Sequence, residues 1–139
     1  MIVFDTNVIS EIFKPRPNAR VVALLEAPGE EVAITSVTLA ELLAGVRRLP
    51  EGRRKEELQI ALNAAVGPYR QSGAILAFDD AAAEQYAEVL SRREREGLPI
   101  STADAQIAAI CRAHRAACAT RNVKDFACTG VRVIDPWAD

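Results

Sequence analysis

An α/β class, with a mostly parallel sheet covered by helices, is what this sequence predicts. Two observations carry the prediction. Five short apolar stretches, IVF at 2–4, VAIT at 32–35, ILAF at 75–78, ACAT at 117–120 and VRVI at 131–134, alternate with helical patterns, and none joins its neighbour by a hairpin turn. Aromatic residues are only 5% of a chain that is 50% apolar and rich in alanine, so aliphatic helices must pack closely on whatever they cover. Its 139 residues suffice for one domain, 1–139, with a sizeable core.

The elements follow in order. IVF is a buried strand, and a short helix from Asn7 to Phe13 is stopped by the prolines of KPRP. A second helix covers Arg20 to Glu26, before the strand VAIT. Ser36 can cap TLAELLAGVRRL, which ends at Pro50 and Gly52, and Arg53 to Val66 continues helically. After ILAF, Asp80 can cap AAAEQYAEVLSRRERE, closed by Gly97. Ser101 can cap a helix over Thr102 to Arg115, which leads to ACAT. The last stretch, VRVI, alternates and suits a half-exposed edge strand.

The bulk numbers exclude several classes. No N-terminal leader pattern and no window of about eighteen apolar residues is present, so the chain is expected to be cytoplasmic and free of the membrane. Three cysteines, Cys111, Cys118 and Cys128, are an odd set that fits free thiols in a reducing compartment. With 17 basic against 19 acidic residues the chain does not have the charge of a basic nucleic-acid-binding domain. Basic residues gather locally in Lys14, Arg16 and Arg20, in Arg47 to Lys55, and in Arg92, Arg93 and Arg95. Such runs are ordinarily solvated helix surface, unless folding brings some of them to one rim. CRAHRAAC supplies only three candidate zinc ligands where four are usual, and no glycine-rich nucleotide loop occurs.

The chemistry is carried by carboxylates. In an open parallel sheet, ligands bind beyond the carboxyl ends of the strands where the strand order reverses. Asp5 stands at such an end, Glu41 lies in an otherwise apolar helix after the second strand, and Asp104 falls in the first turn of the helix after GLPIS. Each has a plainer role available: an Asx-like turn in DTN for Asp5, a surface stripe for Glu41, and a capping box in STAD for Asp104. One Mg²⁺ or Mn²⁺ would account for all three together, since carboxylate oxygens are its preferred ligands, and such a cluster suits phosphodiester hydrolysis. CATRNVKDF adds Thr120 and Asn122 after the fourth strand, Arg121 or Lys124 for a phosphate backbone, and Asp125 as a fourth carboxylate or a cap.

IVFDTNVISE at 2–11, ITSVTLAELLAGV at 34–46, LPISTADAQIAAICRAH at 98–114, ATRNVKDF at 119–126 and GVRVIDPW at 130–137 together resemble the PIN domain ribonucleases, in particular the VapC or FitB-like toxins of bacterial toxin–antitoxin pairs. The resemblance spans the chain and implies a three-layer α/β/α sandwich around a parallel sheet of four or five strands. It implies that Asp5, Glu41 and Asp104 are catalytic ligands of Mg²⁺ or Mn²⁺, with Thr6 and Thr120 in support. It implies a homodimer, a cognate antitoxin whose C-terminal segment crosses the active-site groove, and operator DNA bound through that antitoxin. The family often has an aspartate where this chain has Asn122, so a second metal would be held weakly. A phosphate hydrolase acting on small molecules is the rival enzyme, but DTN lacks the DxD arrangement it would need. A catalytically weak module receiving a basic peptide is the rival binding protein.

Overall fold

The computed structural model describes residues 1–138. Five strands, β1 (Ile2–Phe4), β2 (Val32–Thr35), β3 (Ile75–Leu76), β4 (Ala117–Ala119) and β5 (Val133–Ile134), form one sheet in the order β3-β2-β1-β4-β5. Every pairing is parallel, with Ile2 opposite Val32 on one side and Ala117 on the other. All five apolar stretches are therefore strands. The outer two are shorter than their sequence stretches, because an edge strand has only one neighbour to hold it.

Seven helices connect them: α1 (Thr6–Glu11), α2 (Ala19–Glu26), α3 (Ser36–Arg47), α4 (Arg53–Gln71), α5 (Asp80–Arg95), α6 (Thr102–Ala113) and α7 (Val123–Phe126). The side-chain alternation of the strands divides the core into two layers. Ile2, Phe4, Ile34 and Ala119 pack with Val8, Val21, Leu42, Leu62 and Val66 from α1 to α4. Val3, Ala33 and Cys118 pack on the other face with Val89, Ala108, Cys111 and Phe126 from α5 to α7. The result is a three-layer sandwich. In α6, Ala105, Ile107, Ala108, Ala109, Ile110 and Cys111 are all buried, and small side chains at this density let α5 lie close against it. No helix among the described residues is long and apolar enough to cross a membrane.

Several boundaries differ from the sequence reading. Thr35, the last residue of β2, caps α3 by accepting from the Thr38 amide at 3.0 Å, and Ser36 is already helical. Asp79 rather than Asp80 caps α5, through the Ala82 amide at 3.0 Å. The helix begun at Arg53 runs past Val66 to Gln71 with Pro68 inside it, because a proline in the last turn removes one amide and disturbs little beyond it.

One arginine changes category altogether. Arg93 is only 3% exposed, and its guanidinium donates to the carbonyls of Lys124 (3.0 Å), Ala127 (2.8 Å) and Pro99 (2.6 Å). It ties the end of α5 to the chain before α6 and to both ends of α7. Removing it leaves three carbonyls short of a donor, so Arg93→Met is expected to lower unfolding free energy by about 2–4 kcal/mol. Urea denaturation measures this, and an unchanged midpoint would deny the side chain its fastening role.

Candidate active site

The reversal of strand order places α1 and its cap at a crevice between the carboxyl ends of β1 and β4. Asp5 is the α1 cap: one carboxylate oxygen accepts from the Thr6 amide at 2.8 Å. The other accepts the Thr120 hydroxyl at 2.7 Å and the Asn7 side-chain amide at 3.3 Å. Asp5 is nearly inaccessible, and its burial pushes the carboxyl pKa up, against these three donors, with the Glu41 charge pushing the same way. Asp5 thus caps α1 and also faces the crevice.

Glu41 is exposed on α3 rather than enclosed by its apolar neighbours, and it accepts the Thr6 hydroxyl at 2.7 Å. That hydroxyl also lies 3.1 Å from the Thr38 hydroxyl. Thr6 thereby orients Glu41 across the gap between α1 and α3.

Asp104 is half-buried at the start of α6. Its amide donates to Ser101 Oγ at 3.1 Å, so Ser101 performs the capping. The Asp104 carboxyl is raised to about 6, chiefly by burial, then by the charge of Asp5, with Asp125 and Glu41 adding to it. Four carboxylates therefore share one electrostatic neighbourhood. Asp125 is exposed on α7, and Asn122, at the start of α7, makes no capping bond with its side chain. Thr120 is buried, and besides donating to Asp5 its oxygen accepts the Asn122 amide at 3.0 Å. Lys124 and Arg121 are exposed, the Arg121 guanidinium lying 5.2 Å from the centre of the Trp137 ring.

A PIN domain profile matches residues 2–129. The chain belongs to the PIN-domain family. It is 41% identical over 140 residues to Toxin FitB of Neisseria gonorrhoeae (strain ATCC 700825 / FA 1090), covering 100% of both chains. It is 38% identical over 138 residues to VapC ribonuclease Y4jK of Sinorhizobium fredii (strain NBRC 101917 / NGR234), covering 99% of this chain and 98% of that one. The solved structure of FitAB bound to an IR36 DNA fragment superposes with a TM-score of 0.91 at 38% identity, over 99% of this chain and 96% of the other. These similarities place this PIN domain among the VapC/FitB-like toxins.

Two polar side chains of α1 escaped the sequence reading. Asn7 spans the crevice, donating to Asp5 and to Thr120 Oγ1 (3.4 Å) and accepting the Arg121 amide at 3.2 Å. Its signal was its place in DTN, one residue beyond the side chains assigned there. Glu11 is buried at the end of α1, where it pairs with Lys14 Nζ at 2.8 Å and accepts the Asn18 amide at 2.9 Å, holding the KPRP loop. The Lys14 bond is the largest cause of its lowered pKa.

Among the described residues no three histidine, cysteine, aspartate or glutamate side chains form a ready-made metal cluster. The donor set nevertheless fits a hydrated divalent cation. It is all oxygen, it is open toward Glu41, and burial, with the neighbouring carboxylates adding to it, holds Asp5 and Asp104 above their ordinary pKa values. A carboxyl whose pKa rises from 3.8 to about 6 on folding subtracts stability as pH climbs between those values. For a half-buried group the penalty above pH 6 is about 1 kcal/mol. In chelator, Asp104→Asn is therefore expected to match the parent's melting temperature near pH 4 and exceed it by a few degrees at pH 7. Parallel curves across that range would mean that folding does not disfavour the ionised Asp104 carboxylate.

Proposed function

We propose that the chain is a metal-dependent endoribonuclease toxin, restrained by a cognate antitoxin, with Asp5, Glu41 and Asp104 as its catalytic carboxylates. The observation that carries the reading is the shared field of these three groups at the strand-order reversal, in a chain of the VapC/FitB-like branch. Asp5, Glu41 and Asp104 would hold Mg²⁺ or Mn²⁺. When bound, the cation supplies the positive charge that polarises the scissile phosphate and acidifies water. Asp5 is kept ionisable and fixed in direction by the Thr6 amide and the Thr120 hydroxyl. Glu41, turned by Thr6, receives the proton of the attacking water as the water oxygen bonds to phosphorus, and the ribose oxygen whose bond to phosphorus breaks takes a proton from solvent. Arg121, braced on Trp137, and Lys124 take the flanking phosphates, while Asn122 and Asp125 border the path of the strand.

The partners follow from the surface beside the site. A cleft of about 430 Å³ between α1, α3 and α4 has Thr6 and Glu41 at one end and Phe13, Val46 and Leu58 along it. An antitoxin segment with apolar side chains fits this cleft and would cover the carboxylates. The FitAB complex bound to an IR36 DNA fragment supports DNA binding by a toxin–antitoxin pair, and we assign operator contact to the antitoxin. Self-association as a homodimer is supported by a second apolar cleft, of about 470 Å³, bounded by Ile9, Ile12, Val22, Leu25 and Tyr69.

Labelled RNA incubated with antitoxin-free chain is expected to be cut with Mg²⁺ or Mn²⁺ and to survive in chelator. Asp104→Asn is expected to cut at least about 100-fold more slowly, roughly 3 kcal/mol in the barrier. No cutting of any RNA by folded, metal-loaded chain would favour the binding-module reading that Asn122 suggests. Because Asn122 brings no charge, calorimetric titration with Mn²⁺ is expected to give one strong site per chain without RNA. Two strong sites would overturn the assignment of Asn122 as the weak point.

A further inference from the structure

A second concentration of charge lies at the opposite end of the sheet. Arg112 in the last turn of α6, Arg115 just beyond that helix and Arg132 before β5 line a cleft of about 400 Å³ that also includes Met1, Ala117 and Gly130. Met1 and Ala117 lie at the amino ends of β1 and β4, whereas Asp5 and Thr120 follow their carboxyl ends. The cleft is therefore separate from the carboxylates.

Its geometry is specific. Arg112 is fixed by donating from Nε to Gln85 Oε1 at 2.9 Å and from Nη1 to the Thr129 carbonyl at 3.2 Å. Gly130, at φ +83°, provides the room, because a Cβ there would run into the Arg112 guanidinium. Arg115 stands at φ +53° just after the helix, a left-handed position where glycine is the usual residue. No carboxylate forms an ion pair with Arg112, Arg115 or Arg132 among the described residues. Glu30, which feels the charge of Arg132, is committed to the N-terminal ammonium at 2.6 Å. Three arginines thus line one cleft with no carboxylate ion-paired to them among the described residues, in a chain of net charge −2.

Guanidinium groups match phosphate oxygens in charge and fork geometry. We infer that this cleft is an exosite for a backbone phosphate of RNA, remote from the bond that is cut, an inference that rests on the ribonuclease reading above. Asp104 and Arg112 are eight residues apart on α6, about 12 Å along its axis, and lie toward opposite poles of the sheet. An RNA that reaches past both ends of α6 can engage the carboxylates and this cleft together, so the cleft adds affinity for any RNA long enough to span them.

The test is fluorescence anisotropy of a labelled, folded RNA of transfer-RNA size in chelator, so that nothing is cut. Arg115→Gln/Arg132→Gln removes two exposed side chains without hydrogen bonds, and its melting temperature should match the parent. Arg53→Gln/Arg70→Gln on α4, in the opposite layer, is the charge-matched control. The exosite pair is expected to weaken binding at least fivefold and to lower the salt slope by about 1–2, with the control within twofold of the parent. Equal loss in both pairs, or loss in neither, overturns the exosite. So does loss confined to duplex DNA or to an acidic peptide. A parent chain that fails to cut RNA with metal would sink the ribonuclease reading itself, whereas one that cuts while the two pairs bind alike would sink only the exosite.

Discussion

The hydrogen bond from the Thr120 hydroxyl to the Asp5 carboxylate, 2.7 Å long and closed to solvent, joins the ends of the two central strands where the sheet order reverses. A carboxylate in that position is costly unless its oxygens are occupied. The local backbone supplies one donor, the Thr6 amide, and the neighbouring strand supplies the other. Asn7 then bridges both loops, so the position of the acid depends on β1 and β4 being paired in register. Folding and site assembly are one event here.

The supports around that bond keep the acids in place without neutralising them. Arg93 meets only carbonyls, and Glu11 meets Lys14 and a backbone amide, so neither relieves the field at Asp104. The charge that remains is what suits the crevice to a cation and costs the metal-free chain stability. Buried alanines in α6 complete the scheme by setting the helix that carries Asp104 close against α5, whose last turn carries Arg93.

Charge is also divided between the poles of the sheet. Asp5, Glu41 and Asp104 share one end of the sheet while Arg112, Arg115 and Arg132 line a cleft at the other, so the near-neutral total conceals a local sorting of charge. A net charge says little about binding when the residues it sums are sorted by the fold.

The sequence by itself determined the five strands and their parallel character and named Asp5, Glu41 and Asp104 as candidates, because apolar stretches, missing hairpin turns and capping residues are local properties; that these acids share one neighbourhood came from the fold. It also carried the family resemblance through DTN, AELLAG, STAD and TRN. Local rules could not choose between Thr35 and Ser36, or between Asp79 and Asp80, since adjacent residues of equal capping power are separated only by where the strand ends. Nor could they separate Arg93 from Arg92 and Arg95, which look alike in sequence. Only the packing of α5 against the chain before α6 and around α7 decided which guanidinium would be buried. Asn7, Glu11 and the arginine cleft were likewise settled by tertiary structure, because each depends on groups far apart in the chain that meet only when the sheet closes.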